Sequence, residues 1–160
     1  METMQEKTNA VRIVESLKLP HKTHTYDSSR AASGTEVAQM LGQNPDKVFK
    51  TLVCVAKSGK HYVFVIPVAE GLDLKKAAKV VGEKSVDMLK QKELLPLTGY
   101  VHGGCSPIGM KKPFTTTVHF SAEIYDTVFF SAGKIGYQVE MSPADLASAV
   151  PIVYDDLTVD

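Results

Sequence analysis

One stretch of the chain reads Gly99-Tyr100-Val101-His102-Gly103-Gly104-Cys105-Ser106-Pro107-Ile108-Gly109-Met110-Lys111-Lys112. A hydrophobic, strand-like segment here runs into a glycine-rich loop that closes on two cations. Gly103, Gly104 and Gly109 permit positive φ and close main-chain approach, so backbone N–H groups can converge on a carbonyl or phosphate oxygen beside Lys111 and Lys112. The spacing is not the Gly-x-x-x-x-Gly-Lys-Ser/Thr of nucleotide phosphate loops, and no helix opens from it. A plain structural turn is the competing reading.

Lys50 begins the otherwise apolar run Leu52-Val53-Cys54-Val55, and strand alternation puts it on the same face as Leu52. An inward ammonium needs a polar or anionic partner, so Lys50 fits a strand end lining a cleft, unless its stem simply carries the charge out to water. Thr51 beside it offers a hydroxyl. Ser131 follows three hydrophobic strand residues and reads either as a hydroxyl presented at a strand end or as a routine turn residue. Cys105 has no helix start or paired base to activate it and reads as passive. His21 and His24 fall on opposite strand faces, and His61, His102 and His119 are scattered, which argues against zinc. No metal or cofactor is expected. Asp155 and Asp156 lie in the tail and Glu140 alternates with apolar neighbours, so hydrolysis by paired carboxylates is disfavoured. Lys75, Lys76 and Lys79 form one helix face that is either solvated or, with Lys111 and Lys112, a local phosphate-binding patch.

The elements that must hold these residues follow from the rest of the chain. Its 160 residues, 44% apolar, suit a single compact domain, 1–160, that folds without metals or disulfides. Charge is balanced at 18 Lys+Arg against 18 Asp+Glu, so there is no global basic field and any RNA contact is local. Cys54 and Cys105 form no Cys-x-x-Cys pair, which fits a reducing compartment. Residues Met1 to Lys7 carry no apolar leader, and no apolar run approaches the roughly 18 residues that span a bilayer. A soluble, cytoplasmic protein is expected, with monomer as the default state.

Helices are expected after a cap at Thr8 or Asn9 up to Pro20, after a cap at Thr35, over Leu74–Val81 between Asp73 and Gly82, and from Ser142-Pro143 to near Val150. A helical turn starts at Asn44-Pro45-Asp46. Strands are expected at 22–26, 49–55, 61–66, 86–88, 100–102, 115–120, 127–131, 137–141 and 152–154, with a turn at Ser58-Gly59 and hairpins dominating the second half. The fold class is α+β, with a curled, barrel-like mixed β-sheet around a pocket and flanking helices.

Taken together, His24-Thr25-Tyr26, Phe49-Lys50-Thr51-Leu52, Leu72-Asp73-Leu74-Lys75-Lys76-Ala77-Ala78-Lys79, the Gly99 to Lys112 loop and Ser131-Ala132-Gly133-Lys134-Ile135-Gly136 resemble the YbaK/EbsC family over nearly the whole chain. These are free-standing relatives of the editing domain inserted in bacterial prolyl-tRNA synthetase. The resemblance implies a trans-editing deacylase that removes a wrongly attached amino acid from tRNA, cysteine on tRNA(Pro) first. Its partners would be the aminoacyl-tRNA 3′ end and prolyl-tRNA synthetase, with no membrane. Carried over by position, Lys50 and Gly103 are the catalytic groups, and Tyr26, Thr51, Gly104, Ser106, Ser131 and Gln138 bind the substrate. The substrate thiol would attack its own ester while loop amides stabilise the oxyanion, so the protein needs no nucleophile. Two departures bear on specificity. Ser33 stands where cysteine-specific members carry an aromatic residue, and Gln138 stands where they can have Asp. Alanine or another small amino acid is the alternative substrate, and a non-catalytic binding or regulatory protein of the same fold is the rival.

Overall fold

A computed structural model describes residues 7–30 and 33–160. The chain opens with helix α1 (Asn9–Ser16), whose first turn is closed by the Thr8 side chain accepting from the Val11 N–H and which buries Ala10, Val11 and Val14. Strand β1 (Lys22–Thr25) follows. Helix α2 (Gly34–Leu41) is capped by Ser33, not by Thr35, and stops at Gly42 in the left-handed conformation. Strands β2 (Phe49–Ala56) and β3 (His61–Pro67) form a hairpin through the Ser58-Gly59 turn. Helix α3 (Leu74–Val81) has the expected limits, with Asp73 accepting from the Lys75 and Lys76 N–H groups and Gly82 at φ 73° ending it.

Strand β4 (Val86–Met88) leads into helix α4 (Gln91–Thr98), which the sequence did not announce. Its Pro96 reads as a helix breaker and its N-cap, Lys90, makes no side-chain capping bond, so local signals point away from a helix that packing of Leu94 and Leu97 sustains. Residues 100–102, expected as a strand, form no ladder; the glycines that follow turn the chain before any partner strand is met. Strands β5 (Thr115–His119), β6 (Val128–Lys134) and β7 (Tyr137–Met141), helix α5 (Pro143–Ala149) and strand β8 (Ile152–Asp155) complete the chain.

The strands build two sheets. One runs β1-β7-β6, all antiparallel; the other runs β4-β2-β3-β5-β8. In the larger sheet β3, β5 and β8 are parallel, so crossovers, not hairpins, dominate the second half. No closed barrel forms among the described residues; a single bridge, Val48 to Phe129, joins the sheets. The principal core lies between them, where Phe49, Val53, Val63 and Val65 meet Phe130, Val139 and Met141, with α1 and the glycine loop packed at its edge. A second core fills the other face of the larger sheet, where Cys54, Phe64 and Ile66 meet Ala77 and Ala78 of α3 and the buried Leu157. Burial of each large apolar side chain favours folding by about 1.5–3 kcal/mol.

Candidate active site

A cavity of about 510 Å3 opens where the start of β2, the N-terminus of α2, the β6–β7 connection and the glycine loop meet. Six of the eight expected site residues line it: Tyr26, Lys50, Thr51, Gly103, Ser131 and Gln138. Ser131 and Gln138 face each other across the β6–β7 ladder, and just beyond them the register slips between Ser131 and Lys134. That bulge ends the regular pairing and turns the strand end toward the cavity. The Gly133 N–H donates to the Ser131 Oγ at 3.1 Å, which leaves the hydroxyl proton free to donate to a guest.

Two residues that line this cavity each carry a buried polar atom with no partner, Thr51 Oγ1 and the Gln138 carbonyl oxygen. Gln138 is 6% exposed. A buried acceptor left unsatisfied costs about 1–3 kcal/mol. Lys50 is half-buried; burial lowers its pKa and the charge of Glu70 raises it again. The apolar wall is built by Val48, Phe49, Val68, Leu94 and Ile135. Val68, Leu94 and Ile135 carry no chemical signal in the sequence, because an apolar side chain becomes a pocket wall only when distant elements meet.

Gly104 and Ser106 lie outside the lining. The Gly104 N–H is bonded to the Val101 carbonyl at 3.0 Å, and a Cβ there would sit 2.9 Å from the Ile135 nitrogen, so this glycine serves close packing of the loop on the β6–β7 turn. Ser106 is fully buried, and its Oγ accepts from the Ile108 N–H at 3.3 Å. The loop is pinned by the Tyr100 hydroxyl donating to the Ile108 carbonyl at 2.6 Å and by Asn9 Nδ2 donating to the Gly109 carbonyl at 2.7 Å. Gly103 remains at the pocket with φ 86°.

The lysine patch is not assembled. Lys76 is bound to Asp156, Asp160 and the Thr158 carbonyl, Lys111 folds back to the Pro96 carbonyl at 3.4 Å, and α3 packs on the opposite face of the larger sheet from the glycine loop. Cys105 lines the cavity, but burial pushes its thiol up to about 12, so it is a neutral wall and not a nucleophile. No group of three or more His, Cys, Asp or Glu side chains placed to hold a metal occurs among the described residues. Ser33 also lines the cavity, beside Gly34, where a Cβ would meet the Val68 side chain at 2.6 Å. No helix among the described residues is long and apolar enough to cross a membrane.

The family model for the aminoacyl-tRNA editing domain matches residues 29–149, a span that takes in all eight site residues except Tyr26. The chain is 44% identical over 155 residues, 96% of its length and 94% of the relative's, to an Enterococcus faecalis protein named as a proposed Cys-tRNA(Pro)/Cys-tRNA(Cys) deacylase, EbsC. Its fold is shared with a crystal structure described as a proposed trans-editing enzyme for prolyl tRNA synthetase, at a TM-score of 0.84 and 24% identity over 98% of this chain and 100% of the other. It is shared also with the hypothetical protein APE2540, at 0.86 and 22% identity over 95% and 100%. With a family model matched over residues 29–149 and a relative 44% identical over nearly the whole chain, the chain belongs to the aminoacyl-tRNA editing domain family.

Proposed function

We propose that the protein is a trans-editing aminoacyl-tRNA deacylase, a single editing domain that takes the aminoacylated 3′ end into the 510 Å3 cavity and releases a mischarged small amino acid, cysteine first. The observation that carries this reading is that Lys50, the Gly103 turn, Thr51, Ser131 and Gln138, far apart in the sequence, line one hollow. Lys50 contacts the tRNA terminus. The Gly103 turn approaches the ester through its backbone, and donors there gain strength as the carbonyl oxygen becomes an oxyanion, so they stabilise the transition state more than the substrate.

For a cysteinyl ester the substrate thiol is the nucleophile. Its sulfur bonds to the carbonyl carbon, the bond to the ribose oxygen breaks, and the thiol proton ends on that oxygen, releasing a cyclic thioester that water then opens. Holding sulfur and carbonyl in contact supplies much of the acceleration, which accords with a pocket whose one cysteine stays neutral. Ser33 in the wall favours a second substrate: a small hydroxyl in place of a large ring leaves room and polarity, so alanine is also a candidate. Prolyl-tRNA synthetase is the proposed source of presented substrate, because a chain of zero net charge has little long-range attraction for tRNA.

Incubation of the folded protein with Cys-tRNA(Pro) and Ala-tRNA(Pro), with and without prolyl-tRNA synthetase, tests the reading. Release of cysteine well above buffer is expected, and release of neither amino acid under any of these conditions overturns it. In the same assay Lys50→Ala should lower kcat/KM by about ten- to a hundredfold, the worth of a hydrogen bond to a charged group.

A further inference from the structure

The residues that line the cavity differ in exposure. Cys105, Ser131 and Gln138 are buried and belong to its inner surface, whereas Ser33, His102, Gly103 and Ile135 are exposed and belong to its rim. Ile135 is the large apolar side chain of that rim, 48% exposed, and it joins none of the core clusters. A Cβ on Gly103 would lie 3.6 and 3.8 Å from Ile135 Cγ1 and Cδ1. These are ordinary van der Waals distances, so the isoleucine stands directly beside the turn assigned to the ester.

Its place is fixed through the backbone. Ile135 follows the register slip between Ser131 and Lys134, and its nitrogen lies 2.9 Å from where a Cβ on Gly104 would sit. On its other side the Tyr26 N–H bonds the Gly136 carbonyl at 3.1 Å. The strand end, the glycine loop and the end of β1 thus hold the turn that carries Ile135. An apolar surface set in position beforehand loses little freedom when a ligand covers it.

The covalent structure of the guest says what arrives there. An aminoacyl ester sits on a ribose hydroxyl of the last nucleotide, and the same ribose carries the base. With the ester at the Gly103 turn, the base comes to the rim, within reach of the residues that flank that turn. These are Ile135 and His102. Lys50 is the one lysine among the described lining residues, which include no arginine and no carboxylate. An apolar side chain and a ring suit the flat face of a base, whereas a phosphate calls for cations.

We propose that Ile135 is a nucleobase contact: its side chain packs against the face of the terminal base of the tRNA and so sets the ester at the Gly103 turn. The proposal rests on the deacylase reading given above.

The test uses a cysteinylated CCA fragment and the same fragment lacking its terminal base, each with wild type, Ile135→Ala and Ile135→Leu. On the complete fragment Ile135→Ala should lower kcat/KM about five- to tenfold, the lower part of the range for one base contact. Most of the loss should lie in KM, and Leu should restore it. Removing the base should cost the wild type a similar factor, after which Ile135→Ala should cost nothing more. Equal losses on both fragments overturn the proposal, because they mark a structural role, and so does an unchanged rate on the complete fragment. A second measurement needs no turnover. The Ile135 methyl resonances should shift by ring current on addition of uncharged CCA, and not with the fragment lacking the terminal base. Methyls unmoved by CCA overturn the contact. Shifted methyls in a wild type that releases no cysteine from either fragment support the contact and overturn the deacylase reading instead, so the two failures are told apart.

Discussion

Gln138 sets recognition against stability. Its buried carbonyl oxygen has no partner, a state that destabilises the protein unless a donor enters. Gln138→Leu keeps the bulk and removes the unmet polar group, so it should leave the unfolding free energy from urea titration unchanged or raise it, by up to about 1 kcal/mol, while reducing deacylation. Loss of stability with full activity would contradict that role. Cys105 is the complementary case. With its thiol pushed up to about 12, only on the order of one molecule in ten thousand carries a thiolate at pH 8. Iodoacetamide should therefore modify native Cys105 far more slowly than the unfolded chain, and peptide mapping measures the ratio.

At the scale of elements, the pocket depends on how closely α2 approaches the turn after β3. Gly34 begins α2, and any Cβ there collides with Val68. Gly34→Ala should cost about 1–3 kcal/mol by overpacking and raise KM, because the clash pushes two walls of the cavity apart. Adding Val68→Ala should restore part of both, a coupling that a double-mutant cycle reads directly. The β6–β7 pair shows another element-level device. The bulge after Ser131 is paired with close contact between Gly104 and the Lys134-Ile135 backbone, so the strand end and the glycine loop are fixed as one piece.

Across the whole molecule, the tail is part of the structural frame of the site. Leu157 is fully buried in the second core, and its N–H donates to His119 Nδ1 at 3.1 Å. Leu157→Ala should lower stability by about 2–5 kcal/mol, and the loss should appear as a weaker pocket as well as a lower Tm, since the same segment clamps residues 71–73. Charge balance acts at this scale too. A protein with equal numbers of cations and anions has no global field for tRNA, so affinity for the tRNA body should be weak and fall steeply with salt. Tight, tRNA(Pro)-selective binding by the isolated protein at physiological salt would overturn that expectation.

The sequence by itself determined what local forces control. Asp73 and Gly82 bracket α3, Ser142-Pro143 starts α5, β-branched and apolar runs mark β2 and β3, and alternation marks β7, because capping bonds and strand propensity act within a few residues. It also marked the motifs, since Lys50, Thr51, Gly103, Ser131 and Gln138 are conspicuous by chemistry and by family resemblance. Tertiary structure decided what depends on distant partners. Packing made a helix of Gln91–Thr98 despite Pro96, and withheld a strand from 100–102 for want of a neighbour. It turned Gly104 and Ser106 inward as loop supports and sent Lys76 to the tail, away from any phosphate patch.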